Sequence, residues 1–158
     1  MLSSHRNQRL ILLAVGVGIF IVGLASFAFF RATPPPKNII VTIGDIQLSV
    51  TVAHTSSERE RGLSGRAELP ETEGMLFIMD SSDRHGFWMK DMHFPIDIFW
   101  IDHNQQIVDI TNNAKPESYP AVFRPQKPAL FVLETRAGFA EKHDVNIGAR
   151  VTWPPVLY

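Results

Sequence analysis

Three hydrophobic patterns follow one another along the 158 residues of the chain. Leu10 to Phe30 is apolar without interruption by any charge. From Ile39 the pattern changes to period two. Ile46, Leu48, Val50 and Val52 alternate with Gln47, Ser49, Thr51 and Ala53, as a strand with one buried face requires. Further on come short, dense apolar runs bounded by turn residues, among them "MLFIM", "IDIFWID" and "PALFVLET", which read as buried strands.

These patterns predict an order of elements. "IIVTI" and the alternating run flank Gly44-Asp45, a pair suited to a tight turn, so the domain opens with a β-hairpin. Thr55 with Glu58 three residues later fits a capping box, starting a short helix that stops near Gly62. "MLFIM" is the next strand, "DSSDRHG" a turn, and "GFWMKDM" a strand ended by Pro95. "IDIFWID" and "QQIVDIT" form a second hairpin about Asp102 to Gln105. Residues 112–127 hold Pro116, Pro120 and Pro125 and read as a long ordered loop, because proline cannot donate to a strand ladder. "PALFVLET" restores a strand, "AGFAEKHD" supplies one or two helical turns, and "GARVTW" closes the domain with a strand. The fold class is mainly β, a β-rich α+β arrangement in a small mixed-strand barrel or sandwich with one or two short helices.

The apolar run gives the chain four parts: a short cytoplasmic N-terminus over 1–9, a transmembrane anchor or uncleaved signal over 10–30, a Pro-rich linker over 31–38, and the globular domain over 39–158. Twenty-one residues of helix span about 31 Å, matching a hydrocarbon core of roughly 30 Å. Three consecutive prolines make the linker extended and semi-rigid. The expected location is the bacterial cytoplasmic membrane, single-pass, with the domain on the periplasmic side. The alternative is secretion after cleavage near Ala28, where Ser26-Phe27-Ala28 offers small residues to a signal peptidase.

Composition narrows the partners. From residue 38 onward there are eleven basic and sixteen acidic residues, a net charge of −5, which opposes binding to a phosphate backbone. No nucleic-acid partner is expected. Cysteine is absent, which removes thiol nucleophiles, disulfides and thiolate metal sites. The histidines show no ligand spacing, and neither a nucleophile elbow nor a glycine-rich phosphate loop is present, so no metal, cofactor or catalytic residue is assigned.

Charges within apolar runs are what remains to explain. In "FWMKDMHFPIDIFW", an uninterrupted pleat would set Trp88, Lys90 and Met92 on one face, and after Pro95 would set Asp97 with Phe99 and Ile101. Glu134 shares a face with Leu130 and Val132. A charge placed so must be paired or held in a polar site, because burying it alone is costly. Lys90 with Asp97 is a candidate ion pair. Arg61, Arg66, Trp88, Lys90, Asp97 and Glu134 together form a candidate polar pocket, with the guanidinium groups able to fork onto a carboxylate.

The segments "RERGLSGRAELPETEGMLFIM", "FWMKDMHFPIDIFWID" and "ALFVLETRAGFAEKHDVNIGARV" resemble the bacterial and archaeal domain-of-unknown-function family 192. The likeness covers nearly all of Ile39 to Trp153 and includes four motif blocks in order. Those blocks fall here on Arg61, Gly62, Leu63 and Arg66, on Gly74, Met75 and Phe77, on Trp88, Met89, Lys90, Pro95 and Asp97, and on Glu134 and Gly138. Two departures stand out: Ser64 where members often have Met, and Asp91-Met92 where Asn-Thr commonly follows the lysine. The resemblance implies a compact β-rich domain behind an export signal or membrane helix, with no established activity. The expected function is a membrane-tethered, non-catalytic envelope module that binds a small polar ligand, a glycan or a protein segment. The alternatives are a hydrolase or lyase acting on envelope sugars or peptides, and a purely structural interaction domain.

Overall fold

Alternation of buried and exposed side chains organises the domain about one strongly curled sheet. The structure, a computed structural model, describes residues 37–155; the expected anchor over 10–30 and nearly all of the linker lie outside them. Among the described residues no helix is long and apolar enough to cross a membrane. The strands are β1 (Asn38–Ile43), β2 (Ile46–Ala53), β3 (Glu73–Asp83), β4 (Phe87–Trp88), β5 (Ile96–Ile101), β6 (Ile107–Ala114), β7 (Val122–Phe123), β8 (Ala129–Arg136) and β9 (Val151–Thr152). Helices α1 (Ser56–Arg61) and α2 (Phe139–Lys142) and a 3-10 turn at Pro116–Ser118 complete it.

Seven strands form the main sheet in the order β6-β5-β8-β3-β2-β1-β9, and β4 with β7 forms a small second sheet. The predicted hairpins are β1–β2, with Ile43 opposite Ile46, and β5–β6. One feature the alternation did not reveal is that β2 and β3 run parallel, joined by a crossover containing α1. Two further differences concern the middle of the chain. Residues 80–83, expected as turn, continue β3, and the expected strand from Gly86 to Met92 ends at Trp88. There Asp91 adopts a positive φ of 55° and the chain turns.

The sheet curls until its edges meet at one point. Gln106 bridges Arg150, and the Ile107 amide donates to the Ala149 carbonyl. β9 is only two residues long, so this contact does not extend into a ladder. In place of the expected barrel or sandwich the domain forms a curled half-barrel.

Each face of the sheet carries its own core. Val41, Leu48, Val50, Leu76, Phe99, Phe131 and Leu133 pack on one face with Phe139 and Trp153. Phe77, Ile98, Trp100 and Val132 pack on the other with Leu63, Leu69 and Met89. Covered on both sides, β5 is buried along its whole length, which is why it reads as a continuous apolar run.

α1 begins as predicted. The Glu58 amide donates to the Thr55 hydroxyl, and the Glu58 carboxylate accepts from the Thr55 amide. It ends at Gly62, whose φ of 50° and ψ of −132° suit glycine alone. Gly74 serves a different need. A β-carbon there would lie 2.8 Å from the Glu134 carbonyl oxygen and 3.3 Å from the Leu133 Cδ1. Gly74→Ala is expected to cost about 1–3 kcal/mol, read as a lower denaturant midpoint at unchanged slope.

Candidate functional site

Glu134 sits at the centre of the sheet, opposite Met75 on β3 and Ile98 on β5. Residues directly opposite each other share a face, so its carboxyl is flanked by two apolar side chains. Only 5% of the residue is exposed, and among the described residues its carboxyl makes no hydrogen bond or ion pair. Burial pushes it up from 4.5 to about 8, because charging it without a partner in an apolar setting is costly.

That carboxyl lines a cavity of about 270 Å³ together with Phe77, Phe87, Trp88, Arg61 and Ser64. The aromatic wall is rigid: Phe87 meets Phe77 and Trp100 edge-on, at 4.9 and 5.3 Å between ring centroids. Trp88 is 48% exposed and offers a ring to solvent. The opposite wall is α1, pinned to β3 by Arg59. Its guanidinium donates to the carbonyls of His54 and Ile78 at 2.6 and 3.0 Å, and to Asp80 at 2.7 Å. Arg61, two residues later, is exposed, and among the described residues its guanidinium has no partner.

The candidate residues divide. Arg61, Trp88 and Glu134 share the cavity, while Arg66 lies with Arg61 in the adjoining cleft. Lys90 and Asp97 line neither. Lys90 is exposed at the turn, where its carbonyl accepts from the Ser64 hydroxyl at 2.8 Å while the neighbouring Asp91 carbonyl accepts from the Gly65 amide at 2.8 Å. No Lys90–Asp97 ion pair exists among the described residues. Asp97 is 1% exposed and accepts from the amides of Asn113 at 2.8 Å and Ala140 at 3.0 Å. It stands opposite Thr135 in the β5–β8 ladder, whereas Ile98 stands opposite Glu134. Asp97 and Glu134 therefore occupy opposite faces of the sheet, and the four-charge cluster is divided by the sheet itself.

Glu60, Met79 and Gly86 also line the cavity, and sequence reasoning missed them. Met79 carries a usable signal, since it alternates with Met75 and Phe77 along β3. Glu60 and Gly86 carry none without the tertiary fold. No group of three or more His, Cys, Asp or Glu suited to a metal ion occurs among the described residues.

With this geometry in view, comparison with known proteins is direct. The DUF192 family model, described as "Uncharacterized ACR", matches residues 39–153. The chain belongs to the DUF192 family. A UPF0127 protein of Pyrococcus furiosus is 30% identical over 84 residues, covering 50% of this chain and 66% of the relative. The aligned part thus spans just under two thirds of that relative. Among solved structures, a Sinorhizobium meliloti 1021 protein described as a candidate transcription regulator is 29% identical with a TM-score of 0.69. The match covers 77% of this chain and 96% of that one. A protein of unknown function from Novosphingobium aromaticivorans is 28% identical, with a TM-score of 0.68 and coverages of 78% and 95%. The fold of the DUF192 domain recurs in both of these solved structures.

Proposed function

We propose that this DUF192 domain is a non-catalytic binding module for a small polar ligand, a sugar-like group bearing hydroxyls on a compact ring. The observation that carries this reading is the unpartnered, buried Glu134 carboxyl on the cavity lining. Near neutral pH it keeps its proton, so it both donates and accepts a hydrogen bond, which matches a ligand hydroxyl. Trp88 and Phe87 supply an apolar wall for the ring, and Arg61 supplies a charged donor. The volume of about 270 Å³ lies just below the range of roughly 300 to 1,000 Å³ for small-molecule sites. A ligand of about one ring in size follows. Residues 10–30 serve in this reading as the membrane anchor, with the domain in the bacterial envelope.

A hydrolytic reading has one specific support: a protonated Glu134 has the character of a general acid, and Glu60 is a second carboxylate on the same cavity. Asp97, placed on the other face of the sheet, drops out of it.

The test is tryptophan fluorescence of the full chain titrated with N-acetylglucosamine and its disaccharide. Saturable change in the parent, lost in Glu134→Leu, whose side chain can neither donate nor accept, is expected. No saturable change with either sugar would overturn the sugar-like assignment, and release of free monosaccharide from the disaccharide would favour the hydrolytic reading.

A further inference from the structure

On the far side of the ridge formed by Arg61, Gly62 and Ser64 lies a second cleft, also of about 270 Å³. Lys37, Arg61 and Arg66 line it, and among the described residues none of their side chains has a hydrogen bond or ion pair. From Lys37 onward twelve basic residues stand against sixteen acidic ones, a net charge of −4, and three cations without a partner among the described residues on one cleft run against that balance. Sixteen acidic residues are available, yet these cations are left uncompensated.

We propose that this cleft is a binding site for the oxyanion group of a small molecule, a phosphate or a carboxylate. The other polar groups on its walls leave that role to the cations. The Ser64 hydroxyl donates to the Lys90 carbonyl and the Thr51 hydroxyl to Asn38, so neither hydroxyl has a proton to spare. Glu58 also lines the cleft, but its carboxylate accepts from the His54 and Thr55 amides and faces the His54 ring at 3.2 Å. The one acidic wall residue is thus already engaged at the helix N-terminus. Two guanidinium groups present planar forks that fit a tetrahedral or planar oxyanion, and Lys37 adds a point charge. The loop carrying Arg66 is tied to the turn at Asp91 by the Gly65 amide, which donates to the Asp91 carbonyl at 2.8 Å.

The site differs from the aromatic cavity in ligand chemistry, and only the Arg61–Ser64 ridge is common to both. Calorimetric titration of the full chain at constant ionic strength with inorganic phosphate, with succinate and with sodium chloride tests it directly. Saturable binding of phosphate or of succinate, but not of chloride, is expected, and the tighter of the two identifies the source of the oxyanion. Arg66→Gln and Lys37→Gln are each expected to weaken that binding about tenfold, as loss of one charge-assisted contact does. Arg66→Lys should lose less, because it keeps the charge without the fork. Lys127→Gln removes an equal charge elsewhere on the surface and should leave the affinity unchanged. Affinities that are equal across Arg66→Gln, Lys37→Gln and Lys127→Gln would overturn the proposal, as would heats with phosphate and succinate no different from those with chloride. Circular dichroism of each variant separates lost binding from lost fold.

Discussion

Replacing Glu134 by glutamine is expected to remove a pH dependence of stability that the parent protein shows between about pH 4.5 and pH 8. In the folded chain burial pushes the Glu134 carboxyl up to about 8 from an ordinary value of 4.5. Between those limits the native state holds a proton that the unfolded state has released. Stability therefore falls as pH rises, and the linkage slope is on the order of 1 kcal/mol for each pH unit. Below pH 4.5 both states are protonated and the contribution is fully retained; above pH 8 the loss is complete and levels off. Glutamine has nearly the same shape and cannot ionise, so its curve lacks this slope. The variant should match the parent near pH 4.5 and exceed its stability at pH 8. Glu58 is drawn down to about 2, chiefly by the Thr55 amide, and Glu71 is drawn down by Lys142. Both act at the acidic end and cancel when the two curves are subtracted. Urea unfolding from pH 4.5 to 8.5 checks this, and parallel curves for parent and variant would contradict it.

Asp97→Ala is expected to be strongly destabilising on the opposite face, by about 3 kcal/mol, because it strands the buried Ala140 amide and also removes the partner of the Asn113 amide. Each carboxylate oxygen takes one amide, from Asn113 at the end of β6 and from Ala140 in α2. The side chain thus fixes a helix and a strand end to β5 at once. Asp97→Asn should lose nearly as much, since its amide nitrogen would face one of the two N–H groups. Neither change should alter binding in the Glu134 cavity once the protein is folded, because the sheet lies between them. A loss below about 1 kcal/mol in equilibrium unfolding would show that the carboxylate is dispensable.

The periodic parts of the chain were legible without a structure. Both hairpins, the Thr55 capping box, the short helix near Gly138 and the face shared by Val132 and Glu134 follow from local pattern alone. Register between strands does not. Nothing local tells that Asp97 stands beside Thr135 and Glu134 beside Ile98, and that single-residue offset separates the two carboxylates. The turn at Lys90–Asp91 was hidden for a related reason, since an apolar run predicts continued pleating and only the docking of residues 64 and 65 shows where it stops. The parallel β2–β3 pair was missed because one short crossover does not produce a repeating signal. Of the candidate pocket, Trp88 and Glu134 stood out because each is a half-polar or polar residue in an apolar run, and Arg61 because its guanidinium could fork onto a carboxylate. Glu60 looks like any solvent-facing helix residue.

The position of β8 bears on how the molecule is assembled. Synthesised near the end of the domain, it is inserted between β3 and β5 and pairs with both. A nascent chain that has emerged only as far as Lys127 holds two unjoined strand groups, each with an open edge toward the missing strand. Glu134 thus arrives on the strand that joins the two groups, late in the chain, with α2 and the short edge strand β9 still to follow.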